Sequence, residues 1–125
     1  MVPLISVVDD DVSVRKSLDR LIRSVGLEAR VYASAEEFLD KAHPREPDCL
    51  ILDVRLPGMT GIELLHHLGA RKCDVPVIFI TAHGSDEVAR SEAASDRTVA
   101  YLIKPFNADE LLDAVNMALK WNPNG

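Results

Sequence analysis

What the chain does not contain narrows its function before any motif is read. No apolar run approaches the roughly 20 residues of a membrane-crossing helix; the longest, such as "VIFI" at 77–80, are short. The N-terminus has no basic segment followed by an apolar signal core, so a soluble, cytoplasmic protein without a membrane partner is expected. Concentrated positive charge is missing as well: the net charge is −6, and Lys and Arg are scattered among acids. Binding phosphates of a nucleic acid requires a basic surface, so no direct nucleic-acid binding is expected of this domain. The two cysteines, Cys49 and Cys73, lack metal-ligand spacing and read as reduced thiols. His66 and His67 are adjacent on a helical segment, point in different directions and read as a solvated face.

With 125 residues there is room for one domain around one core. Residues 1–121 read as that domain and 122–125, from the closing "NPNG", as a tail. Five β-rich runs, "LISVV" (4–8), "EARVY" (28–32), "CLILDV" (49–54), "VIFIT" (77–81) and "VAYLI" (99–103), alternate with segments of helical period. Val14, Leu18, Leu21, Ile22 and Val25 share one helix face, stopped by Gly26. Ser34 with Glu37, and Thr60 with Glu63, are capping-box signatures. The last helix turns Leu111, Leu112, Val115 and Leu119 inward. Strands alternating with helices predict a parallel sheet with right-handed crossovers and helices on both faces. The fourth helix, about 86–95, offers only Val88, Ala89, Ala93 and Ala94, small side chains that predict the most loosely held element.

The residues suited to chemistry all fall at the carboxyl ends of these strands, where open parallel sheets bind ligands. Asp9 and Asp10 end the first run, Asp53 the third, Thr81 the fourth, and Lys104 follows the fifth. Two carboxylates about 5 Å apart repel by roughly 3 kcal/mol at an effective dielectric near 20, so three of them require compensation. A divalent cation and Lys104 supply it. Oxygen ligands without His or Cys select a hard ion, and an incomplete carboxylate set that keeps waters suits Mg²⁺ better than Ca²⁺. Asp11 reads as the N-cap of the first helix. Phosphoryl transfer needs this combination of positioning and charge neutralisation.

"VVDDD", "LILDVRLPGMTG", "IFITAHG" and "YLIKPF", in this order and spacing, resemble the receiver domain of two-component response regulators, in its FixJ-type form. The resemblance implies a flavodoxin-like, doubly wound (βα)5 α/β fold with a five-stranded parallel sheet in the order 2-1-3-4-5. It implies that Asp53 is the phosphoacceptor, and that Asp9, Asp10, Asp53 and the backbone carbonyl of Arg55 hold Mg²⁺. It makes Thr81 the switch hydroxyl, Lys104 the cation on the phosphoryl group, and Tyr101 the aromatic switch. The Lys104–Pro105 bond is usually cis in such domains. The partners implied are a sensor histidine kinase or phosphotransfer protein, and an output domain or protein regulated through the fourth helix, fifth strand and fifth helix, a face that also suits a homodimer. Such a domain is a switch rather than an enzyme, with Mg²⁺-dependent self-phosphorylation and slow autodephosphorylation only.

Two features depart from the family. The usual Gly-Ala pair before the fifth strand is replaced in "AASDRTVAY", with one residue more, which predicts a longer or looser turn and an altered dimer geometry. Arg55 and His83, two residues after Asp53 and Thr81, flank the site as modulators. Three other functions compete. A haloacid dehalogenase-type phosphatase needs an acid where Arg55 stands. A flavodoxin-like electron carrier needs a phosphate loop that "DDD" would repel. The third is a pseudo-receiver that mediates contacts without phosphorylation.

Overall fold

Each β-rich run forms a strand and each helical segment a helix in the computed structural model, which describes residues 2–41, 46–82 and 87–121, with only the backbone for 87–89. In chain order these are β1 (Leu4–Val8), α1 (Val12–Ser24), β2 (Glu28–Tyr32), α2 (Ala35–Lys41), β3 (Cys49–Asp53), α3 (Gly61–Ala70), β4 (Val77–Thr81), α4 (Glu87–Ala93), β5 (Thr98–Ile103) and α5 (Ala108–Lys120). Residues 122–125, read as a tail, and His83 lie outside the described residues.

All five strands are parallel, in the order β2-β1-β3-β4-β5. The central strands β1, β3 and β4 are buried along their whole length, as strands covered on both faces must be. Successive side chains point to opposite faces and build two cores. Ile5, Val7, Ile51, Ile78 and Ile80 meet Leu18 and Ile22 of α1 and Leu111 and Val115 of α5. Val8, Leu50, Leu52 and Phe79 meet Phe38 of α2, Leu64, Leu65 and Leu68 of α3, and Ala93 of α4. Each fully buried Leu, Ile or Phe stabilises the fold by about 1.5–3 kcal/mol. Among the described residues no helix is long and apolar enough to cross a membrane.

The helix ends follow local chemistry. Asp11 caps α1 by accepting from the Ser13 amide (2.8 Å). At its other end Gly26 (φ +84°) and Leu27 donate to the carbonyls of Arg23 and Ile22. Val25, expected on the inward face, is 49 % exposed because it is the C-cap, where helical direction has already been lost. Thr60 and Glu63 form the complete capping box of α3. At α2 the Glu37 amide donates to Ser34 Oγ, but the Glu37 carboxylate reaches back to the Ala33 amide rather than to that of Ser34. Asn107 and Glu110 form a further box on α5, whose buried stripe is Leu111, Ala114, Val115 and Ala118, with Leu112 and Leu119 only half-buried.

The glycine-free turn before β5 is not loose. Arg97 donates to the carbonyls of Leu65 (2.8 Å) and Cys73 (3.1 Å), and Trp121 Nε1 donates to the Asp96 carbonyl (3.1 Å). Thr98 Oγ1 donates to the Ala93 carbonyl (2.6 Å) and lies 3.0 Å from Ser95 Oγ. The β4–β5 register moves from Val77↔Thr98 to Ile78↔Ala100, a bulge at Val99 that absorbs one extra residue within the ladder.

Candidate functional site

The strand order reverses between β1 and β3, and the chain leaves both strands through an aspartate. Asp9 follows β1 and is fully buried. Its backbone is fixed on two sides: the amide donates to the Tyr32 carbonyl (3.1 Å), and the carbonyl accepts from Arg15 Nη1 (2.8 Å). Its Oδ1 accepts from the Asp11 amide (2.8 Å), which leaves Oδ2 to face the site. Asp53 ends β3 and is 5 % exposed, with Oδ1 accepting from the Arg55 amide (3.0 Å). Behind it α3 starts at Gly61, so close that a Cβ there would overlap the Asp53 carbonyl; only glycine fits.

Lys104 enters from the other side. Its amide donates to the Thr81 carbonyl (2.7 Å), extending the β4–β5 ladder past the end of β5, and the Lys104–Pro105 bond is cis. Lys104 Nζ then donates to Asp9 Oδ2 (2.8 Å) and Asp53 Oδ2 (3.1 Å), bridging two carboxylates delivered by different strands. Thr81, at the end of β4, is buried at the same edge.

Burial and charge act against each other here. Burial pushes the Asp53 carboxyl above the usual carboxylate range; the Arg55 amide pulls it back, the Asp9 charge pushes it up again, and Lys104 opposes both. For Lys104 burial acts downward, but the hydrogen bonds and charges of Asp9 and Asp53 prevail and raise it, so the ammonium is retained. Carboxylate oxygens of Asp9, Asp10 and Asp53 lie within 4.8 Å of one another. One ammonium leaves this cluster with excess negative charge, its donors are oxygen only, and Asp10 is exposed to water. Such a set fits a hard divalent cation that keeps part of its hydration shell.

Asp9, Asp10, Asp53, Thr81 and Lys104 therefore converge as the sequence suggested. Arg55 contributes its amide to Asp53, and its side chain is exposed. Tyr101 is one strand over, paired with Phe79 in the β4–β5 register, its ring 6.4 Å from that of Phe79 and covered by the Arg90 guanidinium 5.2 Å away. Sequence reasoning missed Arg15, which holds the Asp9 carbonyl, and Glu36, which accepts from the Met59 amide (2.9 Å) beyond Asp53. No motif reveals them, because their partners are backbone groups.

Comparison with known proteins points to one family. The model described as "Response regulator receiver domain" matches residues 5–116. Nodulation protein W of Bradyrhizobium diazoefficiens is 46% identical over 112 residues, covering 90% of this chain and 49% of that protein. Transcriptional regulatory protein FixJ of Azorhizobium caulinodans is 40% identical, covering 92% of this chain and 54% of that protein. The chain thus spans about half the length of these curated relatives. Among solved structures, the response regulator protein TrrA from Thermotoga maritima, in complex with Mg(2+)-BeF, superimposes with a TM-score of 0.77 at 32% identity over 94% of this chain and 99% of that one.

Proposed function

The chain belongs to the family of response regulator receiver domains of two-component systems, and from that premise we propose that it is a phosphorylation-activated switch with Asp53 as phosphoacceptor. A carboxylate oxygen of Asp53 attacks the phosphorus of a kinase or phosphotransfer phosphohistidine. The P–N bond breaks, its electron pair stays with the imidazole, and an acyl phosphate remains on Asp53. The carrying observation is the Lys104 ammonium held 2.8 Å from Asp9 and 3.1 Å from Asp53, at the edge where phosphoryl charge accumulates. Asp9, Asp10 and Asp53, with the Arg55 carbonyl that the family resemblance implies, would hold Mg²⁺, which when bound would supply positive charge for the carboxylates and the incoming phosphoryl oxygens.

Lys104 keeps its proton throughout and exchanges a carboxylate partner for a phosphoryl oxygen. Thr81, buried at the same edge, donates its hydroxyl to the phosphoryl group, and Tyr101 responds in β5. A groove of about 500 Å³ lined by Val14, Leu18, Lys104, Pro105 and Phe106 opens beside the site and suits docking of the phosphodonor. The signal leaves through α4, β5 and α5 to an output domain or partner.

Incubation with Mg²⁺ and acetyl phosphate, followed by intact-mass measurement, tests this. One added phosphoryl group is expected on the wild type and none on Asp53→Asn. No gain on the wild type, or an equal gain on the variant, refutes Asp53 as phosphoacceptor.

A further inference from the structure

The loop after Asp53 is tied to α2 by a contact outside the acidic cluster. Glu36, in the first turn of α2, accepts from the Met59 amide at 2.9 Å across 23 residues of sequence. Gly58, next to Met59, has a φ of +75°, and a Cβ there would overlap the Glu36 carboxylate. The loop tip and this carboxylate are thus in direct contact, through one hydrogen bond and a close approach at Gly58 by the movable end of an exposed side chain. That bond lowers the Glu36 carboxyl below its ordinary range, so the acceptor is fully ionised near neutrality.

The contact closes a frame around the acidic side of the site. Asp9 donates its amide to Tyr32 at the end of β2 (3.1 Å), and the first turn of α2 follows, fastened to Ala33 by Glu37. Glu36 then reaches the loop at Met59, and the loop runs back through the buried Leu56 to Arg55, whose amide donates to Asp53 Oδ1 (3.0 Å). Without Glu36 this frame is open between α2 and the loop tip.

We propose that Glu36 is a positioning residue for the phosphorylation site, holding the loop tip so that the Arg55 backbone stays against Asp53 and the acidic cluster keeps its Mg²⁺-binding shape. This rests on the phosphoacceptor reading of Asp53 but makes a separate claim about the loop. A residue that merely stabilised the first turn of α2 would affect melting temperature and nothing at Met59.

The test compares wild type, Glu36→Ala and Glu36→Gln by amide hydrogen exchange at Met59, Mg²⁺ affinity by calorimetry, and the Mg²⁺ concentration for half-maximal phosphorylation by acetyl phosphate. In Glu36→Ala, Met59 should exchange roughly tenfold faster and Mg²⁺ affinity should fall by roughly tenfold, the lower end for groups that orient metal ligands. Gln still accepts the Met59 N–H, so Glu36→Gln should behave like the wild type in all three measurements. Unchanged Mg²⁺ affinity in Glu36→Ala overturns the proposal. So does an equal loss in both variants, which would make Glu36 a source of charge rather than position. If no variant, the wild type included, gains a phosphoryl group while Met59 exchange and Mg²⁺ affinity respond as expected, the phosphoacceptor reading fails and the positioning role stands.

Discussion

Asp53 is a buried carboxylate in a cluster with too few cations, and its energetics follow from that imbalance. Burial, its largest influence, raises its proton affinity above the ordinary value of 3.8. A group raised in this way contributes stability below its unfolded pKa and loses it as pH rises, so ionised Asp53 weakens the metal-free fold at neutral pH. Asp53→Asn should therefore unfold at higher urea concentration than the wild type in the presence of a chelator, and should gain less from added Mg²⁺; a lower midpoint would mean that Lys104 pairing outweighs burial. Cys49, fully buried in β3, gives the corresponding test at alkaline pH. Burial pushes its thiol from 9.0 up to about 12, so stability should fall as pH rises from about 9, where the unfolded thiol ionises, toward 12. In urea titrations across that window the slope should be shallower in Cys49→Ala by up to about 1.4 kcal/mol per pH unit, the value for one proton.

At the scale of elements, the turn before β5 acts as a brace. Arg97 joins it to α3 through the Leu65 carbonyl and to the loop between α3 and β4 through the Cys73 carbonyl, while Trp121 joins it to the end of α5. The brace occupies the place where glycine is usual in the family, and within the same turn the Thr98 hydroxyl donates to the Ala93 carbonyl at the C-terminal end of α4. Arg97→Ala should cost about 1.5–3 kcal/mol in a denaturant titration, the range for hydrogen bonds that involve a charged group. Amide exchange should accelerate at residues 94–99 and at the end of α3. Trp121→Phe, which removes only the indole N–H, should loosen the turn without touching α3. If Arg97→Ala leaves both regions protected, the guanidinium contacts are not what holds the turn.

For the whole molecule, the proposed phosphorylation of Asp53 would replace one carboxylate charge by about two and add strong acceptor oxygens beside Thr81 and Lys104. The proposed route outward runs along β5 to Tyr101, which touches Phe79 and is covered by Arg90 of α4. Moving such an equilibrium from 1:99 to 99:1 takes about 5.5 kcal/mol of differential stabilisation. A single hydrogen bond supplies far less, so a partial shift is expected until a partner or second copy adds binding energy. Amide exchange with and without an acyl-phosphate mimic should show changes at 87–104, strongest toward Tyr101 and weakest at the braced turn. Changes confined to residues 10–26 would exclude this output face.

Amino-acid order by itself determined the alternation of strands and helices, the caps at Asp11, Ser34 and Thr60, and the delivery of Asp9, Asp10, Asp53, Thr81 and Lys104 to one sheet edge. These depend on short-range periodicity, local side-chain-to-backbone bonding and the direction of parallel strands. Tertiary structure alone decided that Asp9 is buried while Asp10, chemically identical and adjacent, is exposed. It also decided that Lys104 bridges Asp9 to Asp53, and that Arg15, Glu36 and Arg97 reach the backbone of Asp9, Met59 and Leu65. Those three side chains bond to backbone amides and carbonyls, groups every residue carries, so no residue type marks the partner. Only the folded path of the chain brings it within hydrogen-bond distance.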